Sequence, residues 1–405
     1  MSCDCPGLNC SWHTTLREMR IGVSTSVIQR GRSGVAQYVF SLLRALLPHA
    51  DRHQFTVFAL EEDLPLLAFA AGKMKVISVA ERYRPPVKDI LWHQTVLPRL
   101  ARAHRLDVLH VPSYRRMLWR RPCALVGTIH DLAPFHLPGK YDWKRMFYGR
   151  VVARRLARRQ DEVIAVSQST GRDVVEFFRL PTGRVTVIYN GLDHARFRPG
   201  PQADAKALVA GRHGLRAPFF LYVARLEHPA KNHVRLVEAF NRFKSETGSD
   251  WQLVLGGSDW HGAEVIHAFI RQSKFRKDIH CPGFVPDTDL ADWYRAADVF
   301  IYPSLFEGFG LPPIEAMACG CPVISSTRGS LREIVGEAAA TVNPEDTASL
   351  QRQMVCLATD ASSREILRES GLRRAQCFNW NKTADATLNV YSRAASGGSS
   401  RLHSL

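Results

Sequence analysis

Two glutamates and two glycines stand close together late in the chain, in the segment 298–326, which reads DVFIYPSLFEGFGLPPIEAMACGCPVISS. Glu307 lies in the turn EGFG, and Glu315 follows eight positions later. A carboxylate accepts two hydrogen bonds at once, which suits neighbouring hydroxyls on a sugar ring. Gly308 and Gly310 let the backbone bend sharply and bring its N–H groups close to a ligand. The spacing therefore predicts a site for a hydroxyl-bearing ring.

The same segment has the order of strand, turn and helix that creates a phosphate site. Residues 298–302 form a short apolar run, typical of a strand buried in a parallel sheet. Pro312 and Pro313 suit the first turn of a helix predicted over 314–319. The free N–H groups and positive dipole end of that helix favour a phosphate. Glu315 is expected in the first helical turn, so that both carboxylates face one crevice. A ligand with phosphates and sugar rings would satisfy all these groups.

A pair of cations follows another predicted strand, 219–223. Arg225 comes directly after it in YVARLEHPAKNH, and Lys231 stands six residues later, ahead of a helix predicted from Asn232. Arginine offers a planar fork and lysine a point charge, and together they can pair with a diphosphate. Surface cations are common, however, so this pair alone does not identify a site.

The segment from Pro303 to Ser326, with the Arg–Lys pair upstream, resembles the motifs of the retaining glycosyltransferases of family 4. The likeness spans roughly residues 19–394 and is densest over 219–335. It implies an α/β fold of the GT-B type, with two Rossmann-like doubly wound domains facing across a cleft. It also implies transfer of a hexose from a nucleotide-diphosphate sugar to a glycan or lipid-linked acceptor. GDP-mannose is the preferred donor from the likeness of the GSDW loop at 257–260, with UDP-glucose or a UDP-N-acetylhexosamine as alternatives.

The resemblance also assigns roles to residues. Arg225, Lys231 and the N–H groups of Gly310 and Leu311 would stabilise the departing diphosphate. Glu307 would hold hydroxyls of the transferred sugar, and Glu315 the ribose. The other expected donor-binding residues are Gly308, Phe309, Gly283, Phe284, Val285 and Gly34. No nucleophile and no paired-aspartate metal motif is evident, so we expect front-face displacement without metal or cofactor.

His130 is the expected contribution of the first domain. It follows the predicted strand 125–129, at the strand end where parallel sheets bind ligands. A lone histidine is more often structural, but the segment TIHD is similar to one in the family whose histidine contacts the transferred sugar. Gly34 ends the turn 31–34 after the first strand, where the family's loop approaches donor or acceptor.

Short apolar strands alternate with helical patterns along most of the chain, which favours parallel sheets covered by helices. At 405 residues the chain is long enough for two domains. We predict the boundaries in the following order: a disordered extension 1–18, an acceptor-side domain 19–195, a nucleotide-sugar domain 196–378 that opens with a linker, a helix 379–394 crossing back to the first domain, and a flexible tail 395–405.

The charge is large and unevenly distributed. The net charge is +16, and fifteen Lys or Arg residues stand against three acids between Arg99 and Arg159. Such a surface attracts anionic membranes, nucleic acid or acidic substrates. The basic helix predicted over 144–159 suits anionic lipid. A nucleic-acid-binding protein is the alternative class, but no reader module is recognisable, so no nucleic-acid partner is expected.

The remaining features set the expected location and the rival activities. No apolar run approaches the ~20 residues of a membrane span, and nine scattered cysteines favour a reduced, cytoplasmic setting, with peripheral contact at the membrane. Residues 1–18 lack a secretory signal; their Cys and His residues could bind zinc, or Met19 could be the true start. A sugar-nucleotide epimerase is a rival enzyme, whereas a glycosidase would not need the Arg–Lys pair.

Overall fold

The computed structural model describes residues 17–31, 33–137 and 146–402, and the chain divides into two compact units. Unit 1 comprises Met1–Gly191 and Asn379–Leu405, and unit 2 comprises Leu192–Phe378. The first junction therefore follows Gly191, where the sequence predicted 195. The possible zinc ligands of the N-terminal extension lie outside the described residues.

Unit 1 is built on parallel strands formed by the short apolar runs of the sequence. They are β1 (Arg20–Ser24), β2 (Gln54–Leu60), β3 (Lys75–Val79), β4 (Val108–Val111), β5 (Ala124–Ile129), β6 (Glu162–Ala165) and β7 (Val185–Val187). Within the described residues they form one seven-stranded sheet in the order β3-β2-β1-β4-β5-β6-β7. The chain thus leaves β1 toward one side and, after β3, crosses to the other, which places a topological switch point between β1 and β4.

The helices of unit 1 lie between these strands. They are α1 (Gly34–Leu46), α2 (Pro86–Thr95), α3 (Leu97–Ala103), α4 (Ala133–His136), α5 (Arg154–Ala157) and α6 (Gln168–Phe178). Ser33 and Ser167 cap α1 and α6, because each hydroxyl accepts a hydrogen bond from an N–H of the first turn. The basic helix predicted over 144–159 is divided, with a π-helical turn Tyr148–Ala153 ahead of α5; residues 144 and 145 lie outside the described part. Shorter 3-10 turns occupy Ser26–Gly31, Leu47–His49, Glu61–Ala70, Glu81–Tyr83, Tyr114–Arg116 and Thr182–Arg184.

Unit 2 repeats the same architecture with six parallel strands. They are β8 (Phe219–Val223), β9 (Gln252–Gly256), β10 (Ile279–Gly283), β11 (Val299–Tyr302), β12 (Val323–Ser326) and β13 (Ala340–Val342), in the order β10-β9-β8-β11-β12-β13. Strands β8 and β11 pair in register through Val299 and Phe220. Both are buried on both faces, as their unbroken apolar sequences predict.

The helices of unit 2 cover this sheet. They are α7 (Gln202–His213), α8 (His233–Thr247), α9 (Ala263–Gln272), α10 (Leu290–Ala296), α11 (Leu311–Ala318), α12 (Leu331–Val335), α13 (Thr347–Thr359) and α14 (Ala361–Ala375), with 3-10 turns at Arg276–Asp278 and Gly336–Ala338.

Helix α7 corrects the prediction that the start of this domain is a linker. Its sequence, QADAKALVAGRH, is rich in helix formers, and Ala205 and Val209 are buried. Gly214 ends it with φ 72°, donating its N–H to the carbonyl of Ala210. The flanking prolines and charges obscured this helix in the sequence.

The last helix, α15 (Trp380–Leu402), belongs to unit 1. Its inner face, including Leu388, Val390 and Tyr391, is buried. The helix continues past Ala394 into the segment predicted as a flexible tail, because an established helix extends at little cost per residue. Among the described residues, no helix is both long and apolar enough to cross a membrane.

Candidate functional site

The predicted diphosphate and sugar residues of unit 2 meet beyond the C-terminal ends of β8 and β11. These two strands are neighbours in the sheet, although they are far apart in sequence. The chain leaves them toward opposite sides, and ligands of doubly wound sheets bind in the crevice at such a point. Arg225 and Lys231 follow β8, and the turn from Glu307 to Gly310 follows β11.

Lys231 is held next to this turn by contacts between the loop after β8 and the loop after β11. The N–H of Leu305 donates to the carbonyl of Ala230 over 3.0 Å, joining the loop after β11 to the loop after β8. The hydroxyl of Tyr222 donates to the carbonyl of Lys231 over 2.8 Å. The ammonium then reaches Glu307, with Nζ 2.6 Å from Oε1. The structure therefore brings Lys231 and Glu307 together.

This ion pair is poorly accessible to water, since each of its side chains is 17% exposed. Burial lowers the pKa of Lys231, but the charge and hydrogen bond of Glu307, together with other neighbouring groups, raise it by more. The net shift is upward, so the ammonium stays charged. Tyr302 donates its hydroxyl to the same Oε1 over 3.1 Å. Burial, together with the Glu307 charge, raises the pKa of Tyr302 well above its ordinary value, so this hydroxyl keeps its proton.

The glycine turn is fixed by the loop that follows β12. Ser330 donates its hydroxyl to the carbonyl of Phe309 over 2.6 Å, and its N–H to the carbonyl of Glu307 over 3.1 Å. Gly310 has φ 103°, and a Cβ there would lie 2.5 Å from Leu331. Helix α11 begins at Leu311, so its first N–H groups have no acceptor within the helix. The structure thus places Gly308, Phe309 and Gly310 in the turn ahead of α11 and Leu311 at the first position of that helix.

Glu315 lies one turn deeper in α11 than predicted. The helix starts at Leu311 rather than at Ile314, and its first turn contains no acid. The two prolines fit inside that first turn because their missing N–H groups would have had no intrahelical partner. Tyr294 donates its hydroxyl to Oε2 of Glu315 over 2.9 Å. Burial nevertheless raises the pKa of Glu315 to about 7, with the Tyr294 hydrogen bond opposing the shift.

Arg225 is exposed and packs on the loop after β9. Its guanidinium carbon lies 4.7 Å from the centre of the Trp260 ring, and Nη2 lies 3.3 Å from Oε2 of Glu227. The backbones of the two loops are joined, because Leu226 donates to Ser258 and Trp260 donates to Leu226. Arg225 therefore reaches the same edge of the sheet as Lys231, but its contacts are with Trp260 and Glu227 rather than with the acid turn.

The segment Gly283–Val285 lies at this edge too, at the end of β10. The N–H of Gly257 donates to the carbonyl of Gly283 over 2.7 Å. Val285 is buried against Gly256, whereas the ring of Phe284 is exposed. The resemblance assigns these three residues to donor binding, and that assignment stays a prediction.

In unit 1, Gly34 and His130 occupy the corresponding edge of the other sheet. Gly34 is exposed at the first position of α1, after the Ser33 cap. His130 follows β5, and its Nε2 lies 3.2 Å from the carbonyl oxygen of Pro112. A carbonyl can only accept, so Nε2 carries the proton. Burial lowers the pKa of His130 to about 4, which leaves the neutral ring with Nδ1 as an acceptor.

A buried polar chain stands behind His130. The hydroxyl of Tyr391 lies 2.8 Å from Nδ1 of His110, whose Nε2 lies 2.8 Å from Oγ1 of Thr128. Thr128 in turn lies 3.3 Å from the hydroxyl of Tyr38, whose ring meets the His130 ring edge-on at 4.7 Å. Both histidines are thus placed by neighbours that no motif of the sequence indicates.

Several supporting residues were missed in the sequence. They are Tyr222, Tyr294, Tyr302, Gly329 and Ser330. A tyrosine ending a buried strand, such as Tyr302, is an ordinary strand residue by composition, and only the sheet order shows that its hydroxyl meets a carboxylate. Across the part of the chain that the structure describes, no three His, Cys, Asp or Glu side chains are grouped as metal ligands would be.

Comparison with known families agrees with this geometry. Residues 32–196 match the model described as Glycosyltransferase Family 4, and residues 209–374 match the model described as Glycosyl transferases group 1. The first match covers the part of the chain with His130, and the second covers the whole candidate site of unit 2.

Individual relatives of this chain, and solved structures with the same fold, are also named as glycosyltransferases or contain a nucleotide and a sugar. The chain is 27% identical over 395 residues to an Escherichia coli protein named O-antigen chain mannosyltransferase B, covering 92% of this chain and 99% of that one. It is 30% identical over 360 residues to a D-inositol 3-phosphate glycosyltransferase of Kineococcus radiotolerans, covering 82% and 78%. The fold matches that of Anabaena Alr3699/HepE in complex with UDP and glucose, with a TM-score of 0.73, 20% identity, and 93% and 100% coverage.

Proposed function

The chain belongs to the family 4 glycosyltransferases, of the GT-B fold, and from this premise we propose that it transfers a hexose from a nucleotide-diphosphate sugar to a glycan or lipid-linked acceptor with retained anomeric configuration. The observation that carries the proposal is the Lys231–Glu307 contact at the N-terminus of α11. It sets a cation and a carboxylate beside the N-terminal end of a helix. A sugar joined to a diphosphate needs this combination of groups.

In the proposed reaction, the bond between the anomeric carbon and the diphosphate oxygen breaks. The acceptor hydroxyl forms a bond to that carbon on the same face and gives its proton to the departing diphosphate. Lys231, Arg225 and the N–H groups at Gly310 and Leu311 stabilise the negative charge that develops on the leaving group. Loss of one such preorganised donor typically costs about 2.7–4 kcal/mol of transition-state stabilisation.

The two carboxylates divide the recognition of the donor. Glu307 accepts hydrogen bonds from hydroxyls of the transferred sugar, and its position is fixed by Tyr302 and Lys231. Glu315 accepts from the ribose, and Tyr294 orients it. His130 supplies a neutral acceptor, Nδ1, for a sugar hydroxyl; with a pKa of about 4 it orients the sugar rather than shuttling a proton at neutral pH.

GDP-mannose is the proposed donor. It is supported by the likeness over nearly the full chain to a protein named as a mannosyltransferase. UDP-glucose is the alternative, because a structure of the same fold was determined with UDP-glucose. The protein groups assigned to the diphosphate supply its countercharge, so we expect turnover to persist in a metal chelator.

A thermal-shift screen of nucleotide sugars tests the proposal. A ligand present at a hundred times its dissociation constant adds about 2.7 kcal/mol of stability. GDP-mannose is expected to raise the unfolding temperature of the wild type and not that of Lys231→Ala, while GDP-mannose consumption should require an acceptor. A donor that is bound but rearranged without any acceptor would contradict transfer and favour epimerisation, and no shift with any nucleotide sugar would overturn the proposed site.

A further inference from the structure

One face of unit 1 exposes apolar side chains that a folded sheet–helix unit would ordinarily keep inside. Val87 is 70% exposed, Leu91 55% and Trp119 48%. Val87, Leu91 and Thr95 stand four residues apart on α2, so they share its outer side. The opposite side of the same helix is buried through Trp92 and His93. Helix α2 therefore exposes two large apolar side chains to solvent although its inner side is already packed in the core.

Trp119 is held beside this helix by its backbone. Its N–H donates to Oε1 of Gln94 over 2.9 Å, and Nε2 of Gln94 donates to the carbonyl of Met117 over 2.9 Å. Gln94, Thr95, Arg99, Trp119 and Arg120 line one shallow depression of the surface. The guanidinium of Arg159 lies 4.4 Å from the centre of the Trp119 ring. We name Val87, Leu91, Trp119 and the cations around them the Trp119 patch.

The cations of the Trp119 patch are Lys88, Arg99, Arg120 and Arg159. All four are exposed, and within the ranges that the structure describes none lies within 4.0 Å of a carboxylate. The nearby acids are already engaged inside the unit, since Asp89 pairs with Arg116 and Asp161 with Arg121. Over residues 86–121, eight Lys or Arg stand against two acids, a difference of 8 − 2 = +6.

We propose that the Trp119 patch docks on an anionic membrane surface. Tryptophan is favoured at the boundary between headgroups and acyl chains. A cation near an anionic bilayer contributes about 1 kcal/mol. Val87, Leu91 and Trp119 are exposed among cations, and this mixture of apolar side chains and positive charge suits insertion between anionic headgroups. Helix α2 begins after the C-terminal end of β3, but Trp119 and Arg120 precede the start of β5 and Arg159 precedes the start of β6, so the patch extends along the side of the sheet to its N-terminal edge.

Docking on a membrane gives the patch a role in the proposed function, on which this last step depends. A lipid-linked acceptor has its sugar at the membrane surface and its chain in the bilayer. Docking through the Trp119 patch keeps unit 1, which carries His130, at that surface. The lipid docking itself needs no substrate and is measured independently of any transfer.

Sedimentation of the full-length protein with phosphatidylcholine vesicles, with and without phosphatidylglycerol, tests the docking. We expect the wild type to sediment with the anionic vesicles only, and less so at high salt. The double variant Arg99→Gln, Arg120→Gln is expected to lose partition roughly thirtyfold. Trp119→Ser and Leu91→Ser should each weaken partition about tenfold, with an unchanged unfolding temperature.

Matched controls in unit 2 make these losses specific. Ile366→Ser removes an exposed apolar side chain, and Arg216→Gln with Arg271→Gln removes two exposed cations. These variants should sediment like the wild type. Equal sedimentation with neutral vesicles, wild-type partition of the patch variants, or equal loss in the controls would overturn the proposal. If polyglutamate displaced the protein from the vesicles, and did so equally well for the wild type and for Trp119→Ser, the patch would be assigned to an acidic protein partner instead.

Discussion

At the scale of single residues, the candidate site depends on one ion pair. Lys231 and Glu307 were predicted to have separate roles, on the diphosphate and on the sugar, but their side chains share a contact of 2.6 Å. The two roles are therefore coupled, because removing either charge changes the field on the other. Breaking a buried pair by removing one member typically costs about 3–5 kcal/mol, so fold and function must be measured separately.

Lys231→Met is expected to lower the rate of transfer by two orders of magnitude or more, the loss expected for one preorganised donor at the leaving group. Glu307→Gln is expected to lower transfer without lowering nucleotide affinity, because the ammonium of Lys231 is then free to pair with the diphosphate. Steady-state kinetics and calorimetric nucleotide binding measure the two effects.

Lys206→Met is the matched control for this pair. Lys206 pairs with Asp298 over 2.6 Å in the same unit, at the opposite edge of the sheet, where β11 starts. This variant should keep its turnover. If it lost as much activity as Lys231→Met, or if Lys231→Met turned over normally with its fold intact, the assignment of Lys231 would be wrong.

Glu315 is expected to make donor binding depend on pH. Its pKa of about 7 means that the free protein carries a neutral carboxyl below that pH. Hydroxyl groups of the ribose bind the ionised carboxylate better than the neutral carboxyl, so donor binding releases a proton. The affinity for the donor therefore decreases as the pH is lowered from about 8 to about 6, by at most about tenfold per pH unit. Titration calorimetry with GDP-mannose over this range measures the slope.

Glu315→Gln should abolish this slope, since the amide does not titrate. A diphosphate esterified at both ends carries no group that titrates in the same range, and a slope that survives in the variant would contradict the assignment. The pKa of Glu315 in the folded protein lies above the ordinary value of 4.5 for a glutamate, so ionisation of this carboxyl destabilises the fold as pH rises from 4.5 through about 7. Glu315→Gln should therefore also raise the unfolding temperature at alkaline pH.

At the scale of elements, the loop after β12 acts as a clamp on the turn after β11. Gly329 has φ 63°, and a Cβ there would lie 2.4 Å from the carbonyl oxygen of Glu307. Gly329→Ala is expected to displace the acid turn and weaken nucleotide binding at least tenfold. Binding calorimetry measures this, with circular dichroism to confirm the fold.

Gly248→Ala separates displacement from backbone strain. Gly248 has a similar φ, 59°, at the end of α8, but nothing lies within 4 Å of its added Cβ. This substitution should cost about 1 kcal/mol of stability and leave binding unchanged. Equal effects of the two alanines on nucleotide binding would show that Gly329 only relieves strain.

The elements differ in how far they follow from sequence. Strands such as β8 and β11 were predicted to within a residue, because a buried parallel strand needs a continuous apolar run between polar ends. Helix α7 was missed because only Ala205 and Val209 of its side chains are buried, too few to give a clear periodicity. The orientation of Arg225 on Trp260 was also beyond prediction, since it depends on the pairing of two loops. The functional roles of the site residues remain predictions.

At the scale of the whole molecule, the segment after Phe378 belongs to unit 1, which also contains the first strands of the chain. Helix α15 buries Leu388, Val390 and Tyr391 there, and Tyr391 closes the polar chain to His110. At about 1.5–3 kcal/mol for each large buried side chain, these residues contribute about as much as the entire net stability of an ordinary domain. Unit 1 is therefore expected to be unstable without the last segment of the chain.

In a chain that ends at Phe378, unit 1 should consequently unfold, whereas unit 2 keeps all of its residues. Hydrogen exchange is the appropriate measurement, because it reports each strand separately. We expect strands β1 to β7 to lose protection, and β8 to β13 to keep it. A chain that ends at Ser396 keeps every buried residue of α15 named here and should exchange like the full chain. Retained protection of β4 and β5 in the shorter chain would mean that the sheet is stable alone, and that α15 contributes only to the placement of His110 and, through it, of His130.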